Sequence, residues 1–501
     1  MLGKTLLIAS VAAAALPTEI HLAYAEETNM GVSFSLGNSS IPVTCTFGIA
    51  GGPQTGMAQT IVRSYLGGSF HHAVMGPLAA ATRYTYSCAG EASAVHGFTS
   101  PPAAGDLTWG SFAAFGDWGY LGSAERGPSI PIGGLFSNWS AVPVRELVES
   151  WLVGGNMSFV LHTGDINYAD DSFGEHPFEF NYEKVANGWF NWIQNISASM
   201  PYMVSVGNHE SSCHSPACFL DSTLGEGERN FTAYNTRWSM PSGPSGGVMN
   251  MWYSWNVGGV HFVALNTETD FVGAGEENTS DEHFFPAGHF APDGDYLKWL
   301  AADLAVAAAD PTIAFIVAHG HRPFEDLPDD HSETLLSLFK AAQVDLYLAG
   351  HGHSYTRYDS AAWGDGVVHI MAGGAGCDEM GWPEPTAATA TADSTPLTPS
   401  EACATWCTSF EAAHQVNARR ASAKYNIGDT EPERACHFCK ANGADPVAVS
   451  NKYAAGLVAV SQEALTFTLH NAPDGTIIDT IIILRKTRHR ETHRDTTTTA
   501  I

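Results

Sequence analysis

No stretch of this sequence stays apolar long enough to cross a bilayer. The apolar run from Thr5 to Leu16 is about a dozen residues, well short of the ~20 that a spanning helix needs. Basic residues are also scarce, at 23 Lys and Arg against 52 Asp and Glu, for a formal charge of -29. That balance favours solubility and argues against a nucleic-acid or anionic-membrane partner. Long helical periodicity is missing between residues 30 and 100, which removes a helical bundle from consideration there. The basic, then Thr-rich end from Arg485 to Ile501 reads as a solvated tail rather than a binding patch.

What is present points to export. Lys4, the short apolar run and Ala23-Tyr24-Ala25 have the form of a secretory signal peptide, with cleavage expected after Ala25. Asn-x-Ser/Thr acceptors occur at Asn38, Asn138, Asn156, Asn195, Asn230 and Asn278. The nine cysteines should mostly pair in an oxidising compartment. The expected location is therefore secreted, either extracellular or in a secretory or vacuolar lumen.

With 501 residues, two or three domains are expected. Short period-two runs at 31–36, 43–47, 58–65 and 82–87 predict a small β-sandwich over 26–104, with Cys45 and Cys88 placed to staple it. From Thr108 strands alternate with helices, an α/β pattern running to Leu484. Strands are predicted at 109–115, 158–161, 202–206, 261–265, 313–318, 345–349, 367–372, 457–460, 466–470 and 477–484. Helices are predicted at 143–153, 182–196, 295–309 and 332–343, the last with Ser332 as N-cap. Residues 386–453 form a Cys-containing insertion in the domain 105–484, and 485–501 is the tail.

Five of the predicted strands end in polar residues of a particular kind. They are Phe115-Gly116-Asp117, Gly164-Asp165-Ile166-Asn167-Tyr168, Gly207-Asn208-His209-Glu210, His319-Gly320-His321-Arg322-Pro323 and Gly350-His351-Gly352-His353. Any one of these alone is an ordinary cap or loop. Five together, each after an apolar run, put carboxylate, phenol, amide and imidazole at the sheet's carboxyl edge, where open α/β folds build their sites. Carboxylate and phenolate oxygens suit a hard trivalent ion, and neutral imidazole and amide suit a divalent one.

In the order and detail of these motifs the chain resembles the metallophosphoesterase superfamily and, within it, the purple acid phosphatases. The resemblance runs from about Val32 to Leu484 and includes stretches that bear no ligand, such as Tyr234 to Pro241 and Trp252-Tyr253-Ser254-Trp255. It implies a metallophosphoesterase β-sandwich flanked by helices, preceded by a small all-β fibronectin-like domain that lacks a strand or two. It implies that Asp117, Tyr168 and His353 bind a ferric ion, that Asn208, His321 and His351 bind a divalent ion (Fe, Zn or Mn), and that Asp165 bridges them. Many dinuclear phosphoesterases carry Asp-x-His at the first motif and an acidic residue at the end of the second. Asp117-Trp118-Gly119 and Tyr168 stand here instead. In the fourth motif His319 competes with His321, and the His-x-Pro pattern favours His321.

The implied activity is an acid phosphatase that hydrolyses phosphate monoesters by attack of metal-bound hydroxide, with His209 contacting the phosphate and protonating the leaving oxygen. The alternatives are a phosphodiesterase or nucleotide pyrophosphatase on the same metals, and a non-catalytic binding ectodomain. In the insertion, Cys403, Cys407, Cys436 and Cys439 suit two disulfides better than a four-thiolate zinc site. Cys213 and Cys218 close a small loop, and Cys377 is left over.

Overall fold

The computed structural model describes residues 16–487 apart from 27, 91–92, 127–138, 171–179, 216, 219, 220, 222, 226, 228, 270–295, 328, 379–445 and 451. The first fifteen residues, Asn138, Asn278, the four cysteines of the insertion and the tail from 488 lie outside the described residues.

Eight strands make the amino-terminal unit: β1 (Thr18–Glu26), β2 (Asn29–Ser35), β3 (Thr44–Ile49), β4 (Gly56–Gln59), β5 (Ile61–Tyr65), β6 (Gly68–Met75), β7 (Arg83–Cys88) and β8 (His96–Thr99). They form two antiparallel sheets, ordered β1-β2-β6-β5 and β4-β3-β7-β8. Phe34, Phe47, Tyr86 and Phe98 are buried in this sandwich. Cys45 lies directly opposite Cys88 in the β3–β7 ladder, and the two are bonded as expected.

The expected cut after Ala25 falls inside β1, the edge strand paired with β2. Its residues from Glu19 to Tyr24 are all buried. The other side of β1 is tied to the helix Tyr182–Ser197, where Ile20 N donates to Gln194 Oε1 at 3.0 Å and Ser197 Oγ to the Ile20 carbonyl at 2.8 Å. The predicted strand 58–65 is also divided, into β4 and β5 on different sheets, and β6 and β8 were not foreseen.

The larger unit stacks two sheets face to face. The first runs β11 (Tyr202–Val204), β10 (Phe159–His162), β9 (Ser111–Phe115), β19 (Ala454–Val460), β20 (Ala464–Asn471), β21 (Ile477–Leu484). The second runs β12 (Tyr253–Val257), β13 (Val260–Ala264), β14 (Phe315–His319), β15 (Leu346–Ala349), β17 (Val368–Ala372), β16 (Tyr355–Tyr358), β18 (Ala448–Ser450). Aromatic rings fill the space between them. Phe112 stacks on Phe159 at 4.9 Å, and Phe262 meets both edge-on at 5.2 and 5.3 Å. Strands β9, β10 and β11 are mutually parallel, as are β13, β14, β15 and β17. Their carboxyl ends therefore open on the same side of each sheet, the arrangement that gathers polar loop residues into one crevice. The four predicted helices are present at Val142–Val153, Tyr182–Ser197, Tyr296–Ala309 and Asp329–Ala342. The last begins at Asp329, so Ser332 lies inside its first turn and is not the N-cap.

One buried cation stitches the two units together. Arg237 donates to Glu19 of β1 at 2.6 Å, to Tyr65 Oη of β5 at 2.6 Å, and to Glu183 and Asn187 of the helix at 2.8 and 2.6 Å. Its guanidinium also lies 4.5 Å from the Phe70 ring centre. Removing one member of a buried pair leaves the other charge desolvated, typically at a cost of about 3–5 kcal/mol. Arg237→Met is therefore expected to lower unfolding stability by about that amount in denaturant titrations. A chain starting at Glu26 should likewise unfold at lower denaturant than one starting at Leu16. Equal midpoints for the two chains would mean that β1 contributes nothing to the fold.

Candidate metal centre

Five parallel strands deliver the site. Asp117 follows β9, Asp165 and Tyr168 follow β10, Asn208 follows β11, His321 follows β14, and His351 and His353 follow β15. All seven side chains converge. Tyr168 Oη lies 2.9 Å from His353 Nε2, 3.2 Å from Asp117 Oδ1 and 3.3 Å from Asp165 Oδ2. On the other side of Asp165, its Oδ2 is 3.0 Å from His321 Nε2, while Asn208 Oδ1 is 2.9 Å from both His321 Nε2 and His351 Nδ1. Two ligand-bearing groups can be drawn here, Asp117-Asp165-His353 and Asp165-His321-His351, and Asp165 belongs to both.

The chemistry of these atoms decides what they can hold. His321 Nδ1 is 2.8 Å from the Thr163 carbonyl, which only accepts, so that nitrogen carries the proton and Nε2 presents its lone pair. His351 Nε2 is 2.9 Å from Asp326 Oδ2, which leaves Nδ1 as the lone-pair side. Two imidazole lone pairs, an amide oxygen and a carboxylate oxygen then face one another at about 3 Å with no donor of their own. Such a crowd of acceptors is stable only around positive charge. Protonation shifts say the same. Burial alone would keep the His321 ring neutral, but the Asp165 carboxylate raises its proton affinity above the usual histidine value. Burial would likewise raise Asp165, yet His321 and His209 hold it well below the usual carboxylate range. The donor set fits a pair of cations: hard oxygens from Asp117 and Tyr168 on one side, imidazole and amide on the other.

Backbone geometry at the site is unusual and is held in place from behind. Asp117, Asp165, Tyr168 and His351 have φ of 61°, 54°, 52° and 68°, a left-handed region that side-chain-bearing residues seldom occupy. Glu210 is the clamp. Its carboxylate accepts from the backbone N–H of Asp165 (3.0 Å), Ile166 (2.7 Å) and Gly207 (2.8 Å), tying two ligand loops together. Burial pushes the Glu210 carboxyl up to about 8, against the pull of those N–H groups. Gly207 is required by space, since a Cβ there would sit 2.3 Å from Asp165 Oδ1.

The two histidines of the fourth motif part company. His321 stands beyond Gly320, inside the cluster. His319 remains within β14, fully buried and edge-on to Trp255 at 5.5 Å, with no hydrogen-bond partner for either ring nitrogen among the described residues. Burial lowers its pKa to about 3, so it is a neutral core side chain.

His209 lies beside the cluster. Its backbone N–H donates to Asp165 Oδ1 at 3.0 Å, and its ring packs 4.3 Å from that of Tyr168. Its Nδ1 is 3.0 and 3.1 Å from the two oxygens of Asp170, so Nε2 faces Asp165 Oδ2 at 3.9 Å. Asp170 also takes the Nδ1 of His214, whose loop is closed by the expected Cys213–Cys218 disulfide. Burial would raise Asp170, but His209 and His214 keep its carboxyl below the usual value. Asp170, His214 and Asp326 were not picked out from sequence, because each acts through a residue distant in the chain. Glu268, in the loop that follows β13, was missed for the same reason. It grips Arg322 through both carboxylate oxygens at 3.0–3.2 Å, and Arg322 in turn holds Asp326 at 2.7 Å.

Comparison with known proteins agrees with this geometry. Residues 110–355 match the model of the calcineurin-like phosphoesterase family. Purple acid phosphatase 22 of Arabidopsis thaliana is 27% identical over 376 residues, covering 72% of each chain. Acid phosphatase type 7 of Danio rerio is 26% identical, covering 72% of this chain and 79% of its own. The structure of a purple acid phosphatase from yellow lupin (Lupinus luteus) seeds superposes with a TM-score of 0.61 at 16% identity, over 95% of this chain and 75% of that one. Residues 110–355 are thus a calcineurin-like phosphoesterase domain, and over 72% of its length the chain is similar to purple acid phosphatases, whose fold it shares.

Proposed function

We propose that the protein is a dinuclear-metal acid phosphatase acting on phosphate monoesters, with Asp117, Tyr168 and His353 holding a ferric ion, Asn208, His321 and His351 holding a divalent one, and Asp165 shared. The observation that carries this reading is the double acceptor cluster joined through one carboxylate. Bound there, the two ions supply the charge that grips a phosphate ester and acidifies water. The protein's own part is to keep the two donor sets in register and to manage the leaving group. His209 serves the second task. With Nδ1–H donated to Asp170, its Nε2 is turned toward the cluster, 3.9 Å from Asp165 Oδ2, where it carries a proton to the leaving oxygen, and the Asp170 carboxylate supplies the counter-charge.

An exported location is part of the proposal. It is supported by two disulfides and by the exposure of all four described acceptor asparagines, Asn38, Asn156, Asn195 and Asn230. No described helix is long and apolar enough to cross a membrane. The net charge of -29 argues against a nucleic-acid partner.

Three measurements test the assignments. The purified protein should absorb in the visible through charge transfer from the Tyr168 phenolate to ferric iron. Tyr168→Phe keeps the ring's packing and should abolish the band, so a colourless wild type with iron at full occupancy excludes Tyr168 as a ligand. His209→Ala should retain both ions yet lose about 10²- to 10⁴-fold in rate on esters with poor leaving groups. Asp170→Asn should lose less, in the same leaving-group order, and equal losses on activated and unactivated esters would remove the proton-transfer role. Finally, metal analysis should find the divalent ion missing from His321→Ala and present in His319→Ala. The opposite pattern would move the ligand to His319.

A further inference from the structure

Each of the three proposed ligand histidines has something behind it, and the three partners differ in kind. His321 leans on a backbone carbonyl and His351 on a carboxylate. His353 leans on a thiol, with Cys377 Sγ 3.8 Å from its Nδ1. Cys377 is fully buried and packs against the Tyr168 ring, so one sulfur touches two of the three residues on that side of the centre. Its position is set by backbone rather than by chance contact. Gly119 N donates to the Gly376 carbonyl at 2.8 Å, and Trp118 pairs with Gly376 in a parallel bridge. A Cβ on Gly119 would lie only 3.1 Å from Cys377 Cα. The loop after Asp117 thus fixes the residue that stands behind His353.

We propose that Cys377 is a positioning residue of the Tyr168–His353 half of the centre, accepting the Nδ1 proton of His353 and so setting how strongly that ring donates at Nε2. The inference rests on the reading of the site given above. A ring that uses Nε2 as a lone pair must carry its proton on Nδ1, and sulfur is then the acceptor. A thiol sulfur is a weaker acceptor than a carboxylate. His353 is therefore a poorer electron donor than His351, and an ion on its side keeps more positive charge for the phenolate of Tyr168 to meet. The two halves differ in electron supply through their back partners as well as through their ligands.

The test is spectroscopic and needs no turnover. In Cys377→Ala, His353 loses its acceptor, so the charge-transfer band of Tyr168 should move to longer wavelength and the ferric reduction potential should rise. Cys377→Ser restores an acceptor, a harder one, and should bring both back to the wild-type values or past them in the opposite direction. Shifts of both variants in the same direction, or no shift with iron fully bound, would overturn the role. A wild type that binds iron but has no visible band overturns the underlying site reading and this inference with it. A coloured wild type whose band ignores both substitutions overturns this inference alone. Should the variants fail to fold, the unsubstituted protein carries the test through the exchangeable Nδ1–H proton of His353, followed by paramagnetic NMR with iron in the mixed-valent state. Slow replacement by deuterium supports donation to the buried sulfur, and rapid replacement overturns it.

Discussion

The centre of this protein depends on one electrostatic constraint: a single buried carboxylate, Asp165, faces acceptors on both sides. Tyr168, Asp117 and His353 crowd one flank, and Asn208, His321 and His351 crowd the other. Few of these groups can donate to one another, so the arrangement calls for positive charge from outside the chain. The raised proton affinity of His321 and the depressed one of Asp165 express that demand in the protein alone.

Holding such a cluster requires a frame that does not yield. The two stacked sheets supply it, with seven parallel strands in two sets, five of which deliver the cluster's side chains, and Phe112, Phe159 and Phe262 locked between them. The backbone at Asp117, Asp165, Tyr168 and His351 occupies a region worth roughly 1–3 kcal/mol of strain per residue, sustained only where the surroundings over-determine it. Glu210 does much of that work by closing the β10 and β11 loops on one carboxylate. Outside the frame, Arg237 performs the analogous task between units, binding β1, β5 and the Tyr182–Ser197 helix around one buried guanidinium.

Partners behind the ligands differ more than the ligands do. Thr163, Asp326 and Cys377 stand behind His321, His351 and His353, and Asp170 stands behind His209. They come from three separate segments, Thr163 and Asp170 sharing the loop after β10, and together they set which nitrogen of each ring faces the centre. Identical imidazoles can therefore be given different donor strengths at positions only a few ångströms apart.

Much of the α/β unit was legible in sequence, because a buried parallel strand is a continuous apolar run and five of these runs end in Gly followed by a polar residue. Phe115-Gly116-Asp117 and Ala349-Gly350-His351 announce both the strand and what it delivers. Strands β6, β8, β12, β16 and β18 were not legible, since antiparallel strands that are short, or like β6 buried on both faces, show no clean period-two alternation. The sequence by itself determined which residue types arrive at the strand ends and in what order, since that is local chemistry punctuated by glycine. Only the tertiary structure decided that His321 and not His319 reaches the cluster, that Asp170 turns His209, and that a thiol backs His353. Those facts depend on approaches between segments tens to hundreds of residues apart, which no local pattern encodes.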